Sequence, residues 1–382
     1  MKCTIQTSVA PTFDTAFANV FSQYREENGT ERYDFVMVAL SDRYSVDEVN
    51  STIERVTGNK RYLAFHSTDA FQNSNIINNG VTALFFTFER QGEVTCFVGR
   101  DVSTDRRTVL ERTVDYLNQN REGIHLMIAG ICHNEMAFFV DELNQYDIPI
   151  GNILGGLSSG HSSGDEVLTY QFHRGEIIRD GFVIVTFHNV EKVSSVAMGF
   201  EPIGIQYTIT KAEGYRVYNV DDGYPFSLVI KKLMKDIDDF DRRYLWYTPV
   251  VILEEGKHQE IKTLRTFQHM TSEWVEFFGP VKEGQLIKLS YGDAKHLIAA
   301  DRESVERLAS RLPDPEVLIN FSCIARQYVL EENPEAENIT YFEEVHAPLF
   351  GFFTFGEIGH DPQRKTLQFY NETSLLIGMR ER

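Results

Sequence analysis

The stretches DRRTVLERTVDYLNQNREGIHLMIAGIC (105–132) and DRESVERLASRLPDPEVLINFSC (301–323) follow one plan. Each opens on a helix signal, Asp105-Arg106 before Thr108-Val109 and Asp301-Arg302 before Ser304-Val305. Leu110, Val114 and Leu117 then fall on one helical face, as do Val305, Leu308 and Leu312 in the second stretch, where Asp301 reads as the cap. Each continues into a buried strand that ends beside a cysteine, Cys132 or Cys323, where another helix starts. Farther on, Pro149 and Pro348 stand equally far before Gly160-His161 and Gly359-His360, and Gln171-Phe172 answers Gln368-Phe369. Matches in one order along the chain point to an internal duplication.

Outward from these stretches, strands and helices alternate. Tyr33 to Leu40 and Arg61 to Phe65 read as buried strands. Val81 to Phe88 and Val94 to Val98 read as a pair around Gln91-Gly92, and Pro225 to Ile237 as a helix. A Gly/Ser-rich segment, GNILGGLSSGHSSGD (151–165), reads as a loop. The expected fold is α/β: two related lobes about a pseudo-two-fold axis, with a ligand cleft between them. Clustered glycines over 196–225 put the lobe boundary there, giving lobes 1–213 and 214–382.

The 382 residues carry 37 Lys and Arg against 56 Asp and Glu, a formal charge of -19 that disfavours nucleic-acid and anionic-membrane partners. No apolar run is long enough to span a bilayer, and the first residues lack the apolar core of a signal peptide. The four cysteines are scattered without metal-like spacing, which fits a reducing cytoplasm. Gly-x-Ser-x-Gly, His-Glu-x-x-His and P-loop patterns are absent, so no enzyme is expected from signature.

FSCIAR (321–326), GFFTFGEIG (351–359) and Asn371-x-Thr373 resemble the C-terminal half of FIST proteins. Gly155-Gly156 and Ser67-Thr68 resemble turns of the N-terminal half, although His66 stands where that family more often has a small residue or Cys. The resemblance covers most of the chain. It implies a sensory module for small ligands, suggested to include amino acids, that feeds a histidine kinase or a cyclic-di-GMP enzyme. Some free-standing members are similar haem proteins that sense nitric oxide.

On this reading the ligand set is Gly155, Gly156, Ser158, His161, Cys323, Arg326, Glu357 and His360. The glycines admit close backbone approach or a strained turn. Arg326 suits a carboxylate, with Glu357 as its orienting partner or its ion pair. His161 or His133 would be the axial ligand if haem binds. Cys132 and Cys323, at helix starts, would have lowered thiol pKa values if the chain were a cysteine-nucleophile enzyme.

Overall fold

The computed structural model describes residues 1–161, 167–233, 242–254 and 256–382. Its centre is a sheet whose main path runs 190–197, 374–381, 317–323, 349–361, 153–158, 124–129, 181–188, 93–100. That order is a palindrome of two units. In each, the second and third strands in sequence are parallel neighbours (Ile124–Ala129 with Ile153–Ser158, Val317–Cys323 with Leu349–Asp361). The fourth pairs antiparallel with the second, and the first with the fourth. Helices Val102–Gln119 and Ala294–Arg311 occupy matching places between first and second strands. The duplication expected from sequence is thus built into one sheet.

The two-fold lies where Ile153–Ser158 meets Leu349–Asp361 antiparallel, with Ser158 opposite Thr354. Equivalent places in the two units fall at opposite ends of this antiparallel pair, and the expectation of two glycine-flanked histidine loops is corrected for His360. His161 follows the C-terminal end of the strand 153–158, whereas His360 is itself in a strand and lies beside Gly151 at the opposite end. The units join through hydrogen-bonded strands, so a ligand between them can be reached only at the strand ends.

A second sheet of six strands, ordered 2–8, 81–87, 35–40, 62–66, 171–173, 176–178, lies face to face on the central one. Alternation along Phe35–Leu40 shows why: Phe35, Met37 and Ala39 enter the core shared with Leu126, Ile128 and Ile319. Val36, Val38 and Leu40 pack under the helices Phe13–Asn28 and Val46–Thr57. Other helices cover the far face of the central sheet, giving helix, sheet, sheet, helix. The expected pairing of Val81 to Phe88 with Val94 to Val98 does not form. Val81–Thr87 belongs to the six-stranded sheet and Glu93–Arg100 to the central one, so the turn at Gln91-Gly92 passes the chain between layers.

An eight-stranded sheet, all from 201–291, is inserted between the first strand and first helix of the second unit. Its hairpin Glu201–Glu213 and Arg216–Val220 spans residues 213 and 214. The helix expected to 237 runs Phe226–Leu233, and 234–237 lies outside the described residues. Asp301 is not a helix cap: Asp293 caps Ala294–Arg311, accepting from the His296 N–H at 2.9 Å, and Asp301 is buried mid-helix. No helix among the described residues is long and apolar enough to cross a membrane.

Candidate functional site

The C-terminal ends of Phe35–Leu40, Tyr62–His66 and Ile153–Ser158 converge, which places Asp42, His66 to Asp69 and Ser159 to His161 together. Ser159 knits them: its hydroxyl donates to the Phe353 carbonyl (2.6 Å) and accepts from the Thr68 N–H (3.0 Å). Asp42 accepts from the His161 backbone N–H and lies 2.9 Å from its Nδ1, linking the two sheets. Asp69 is pushed up by burial, against the lowering effect of the Asn79 N–H, His161 and Gln327.

Three side chains here are buried with polar atoms that have no hydrogen-bond partner among the described residues. His66 is 1% exposed, and neither ring nitrogen is hydrogen-bonded. Its ring lies edge-on to Tyr170, 5.3 Å between centroids, and near Phe172. The Thr169 hydroxyl and Gln171 Oε1 are likewise unpartnered. Gln171 Nε2 donates to Ser158 Oγ (3.1 Å), leaving Oε1 beside Gly130. Thr169 packs on Gly160, which in turn abuts Asp42. A buried polar atom without a partner costs roughly 1–3 kcal/mol. His66, beside Tyr170 and Phe172, lies on the helix-facing side of the six-stranded sheet and Gln171, at Ser158, on the side facing the central sheet, so these atoms flank one set of strand ends from two faces.

Burial lowers the His66 pKa to about 4, opposed weakly by Asp42, so the ring is neutral at neutral pH. The unfolded chain takes up the proton near pH 6.5, before the folded one. The stabilisation present above that pH is therefore lost as pH falls toward 4. His66→Leu is expected to shrink the stability difference between pH 7 and pH 4.5 by about 2–3 kcal/mol, measured by urea denaturation at both values. An unchanged difference would mean that the ring is already charged in the folded protein.

Of the residues expected from sequence, Ser158 and His161 belong to this neighbourhood. Gly155 and Gly156 lie inside a strand rather than a loop. A Cβ at Gly155 would fall on the Met127 carbonyl, and one at Gly156 would lie 2.9 Å from Thr354 Cγ2. Their lack of a side chain serves strand packing. Arg326 is fully buried and its donors are already engaged: Nη2 with both Asp301 oxygens (2.7 and 2.8 Å), Nε with Glu337 (2.8 Å), Nη1 with the Met198 carbonyl. Burial opposes its charge, but Asp301 and Glu337 outweigh it and hold the guanidinium protonated. This is a core ion triad, not a donor set open to a ligand.

Glu357 does not bond Arg326. It accepts from the Thr354 and Thr373 hydroxyls at 2.5 Å each, and burial pushes its pKa up to about 8. Cys323 is buried, and burial with Glu357 and Glu372 raises its thiol pKa. Burial and Asp180 do the same for Cys132. Both shifts run opposite to the helix-start expectation, because desolvation of a thiolate exceeds what a short helix offers. His133 sits in the turn 132–134, and its side chain lies outside the described residues. Among the described residues no His, Cys, Asp and Glu cluster could hold a metal ion.

Sequence reading overlooked Asp42 and Thr169, and took Gln171 only as a repeat marker. His66 carried a signal, since its bulk departs from the family pattern at a strand end.

Residues 34–223 match the FIST N domain and 228–360 the FIST C domain. The chain belongs to the FIST family. An uncharacterized protein of Aquifex aeolicus is 30% identical over 263 residues, 67% of this chain and 97% of that relative. An uncharacterized protein of Mycobacterium tuberculosis is 26% identical over 248 residues, 62% of this chain and 63% of its own length. One from Mycobacterium bovis is 25% identical over 242 residues, 60% of this chain and 61% of its length. FIST domains are sensory, signal-transduction domains that bind small ligands. In this FIST protein, the unpartnered groups His66, Thr169 and Gln171 all fall within the FIST N match.

Proposed function

We propose that this FIST protein senses a small polar ligand at the strand ends around His66, Thr169 and Gln171, in the cytoplasm, and passes the change to a signalling partner. The observation that carries the reading is that three buried polar side chains at neighbouring strand ends have atoms with no hydrogen-bond partner among the described residues. Gln171 Oε1 can only accept, and Asp42 and Asp69 stand nearby, so the ligand carries hydrogen-bond donors. Neutral His66 offers one donor and one acceptor. Free amino acids, the class the family resemblance suggests, are the first compounds to test.

His66 and Gln171 belong to the six-stranded sheet and Ser158 and Ser159 to the end of a central strand, so a ligand touching both sets would favour one relative placement of the sheets. It shifts that placement only by its difference in affinity for the two states. A histidine kinase or a cyclic-di-GMP enzyme is the partner class implied by the same resemblance. A thermal-shift screen of the twenty amino acids is expected to give saturable stabilisation with at least one, about 3 kcal/mol at a hundred times its Kd. A flat response across all of them would remove amino acids as the ligand class.

A further inference from the structure

A second site lies where the inserted eight-stranded sheet meets the helix Met136–Leu143 of the first unit. A cavity of about 60 Å³ opens there, lined among others by Asp141, Lys262, Arg265, Lys282, Gln285 and Gln368. On this measure a single water needs about 10–15 Å³, so the space suits a small polyatomic group.

The charges around the cavity do not balance. Arg265 is 6% exposed, yet none of its hydrogen-bond partners is charged. Nε donates to the Pro280 carbonyl (3.1 Å), and Nη1 to the Thr263 hydroxyl and the Leu264 and Phe369 carbonyls. No hydrogen bond is made by Nη2 among the described residues. Gly279 covers the guanidinium so closely that a Cβ would lie 2.8 Å from Nε. Lys262 is half-buried and makes no hydrogen bond or ion pair among the described residues. Burial lowers its pKa first, then Arg364 and Lys282, with Asp141 opposing. Asp141 itself is taken by Lys282 at 2.7 Å, and Arg364 pairs with Asp361 at 2.5 Å.

A buried guanidinium that hydrogen-bonds no carboxylate, with the nearby Asp141 already paired to Lys282, is costly, and fixed donors around a partly dehydrated space are what an anion needs. It is the more telling in a chain of formal charge -19. We propose that this cavity binds a small oxyanion, a phosphate or carboxylate group, held by Arg265, Lys262 and Lys282. The bound group would tie the inserted sheet to the helix Met136–Leu143 and the strand Thr366–Tyr370. This site is separate from His66 and Gln171.

The test uses the full chain, with inorganic phosphate and acetate as probes against chloride at equal ionic strength. Wild type is expected to gain a saturable rise in Tm with phosphate or acetate beyond chloride. Phosphate alone assigns a phosphate-bearing ligand, and acetate alone a carboxylate. Lys262→Gln, at a half-buried position with no partner to lose, should fold normally and bind at least about tenfold more weakly, as expected for one charged hydrogen bond. Gln171→Leu should respond like wild type, which separates this site from the strand-end one. No response beyond chloride in wild type, or an undiminished response in Lys262→Gln, would overturn the proposal.

Discussion

Replacing Arg326 with Leu is expected to destabilise the folded protein by about 3–5 kcal/mol, read as a lower urea midpoint. The side chain has no exposed surface, and its removal strands two carboxylates, Asp301 and Glu337, in the core. Asp301 would keep the Tyr341 hydroxyl (2.8 Å), and Glu337 the Asn320 amide (2.6 Å), but no cation would remain. If lost charge balance is the cause, adding Asp301→Asn and Glu337→Gln to Arg326→Leu should recover much of the loss. A small effect of Arg326→Leu alone would show that the carboxylates are already neutral, and the triad would need redrawing.

Gly155→Ala carries the second largest expected effect, a loss of about 3 kcal/mol with the same readout. Gly155 pairs with Met127 across parallel strands, and the added methyl would fall on that carbonyl. The neighbour is backbone in the middle of a sheet and has nowhere to move. Stability within 1 kcal/mol of wild type would mean that the central strands of the first unit slide more easily than their packing implies.

The Gly155 result bears on what the sequence could reveal. The duplication was legible because its marks are local: a helix face at 3.6-residue spacing, a buried strand, a cysteine at the turn. The register between the units was not. It depends on Ser158 meeting Thr354 across two strands far apart in sequence, which no local pattern reports. The Gly-Gly pair looked like a loop because glycine is common where chains turn, and a strand crowded by its neighbours needs it equally.

The candidate site was legible only in part. Its chemistry was visible at His161 and hinted at by His66, but the groups come from strand ends that neighbour one another only after two sheets stack. Arg326 drew attention for the right chemical reason, a fork suited to carboxylates. Its carboxylates turned out to be Asp301 and Glu337, from two helices flanking its own. Burial decides between ion pair and ligand contact, and sequence spacing does not report it. Neither thiol could be read from position alone, since the electrostatic lift at a helix start is small beside desolvation.

The central claim is that the unpartnered groups at the strand ends bind the ligand. Its most direct test is calorimetric titration of the best stabilising amino acid into wild type and Gln171→Leu. The substitution keeps bulk at a fully buried position and removes the lone acceptor Oε1, together with the Nε2 bond to Ser158. The account predicts saturable binding in wild type and an affinity roughly tenfold or more weaker in the variant, the worth of one hydrogen bond and the group it leaves unpaired. Equal affinities in two folded proteins would place the ligand elsewhere and contradict the assignment.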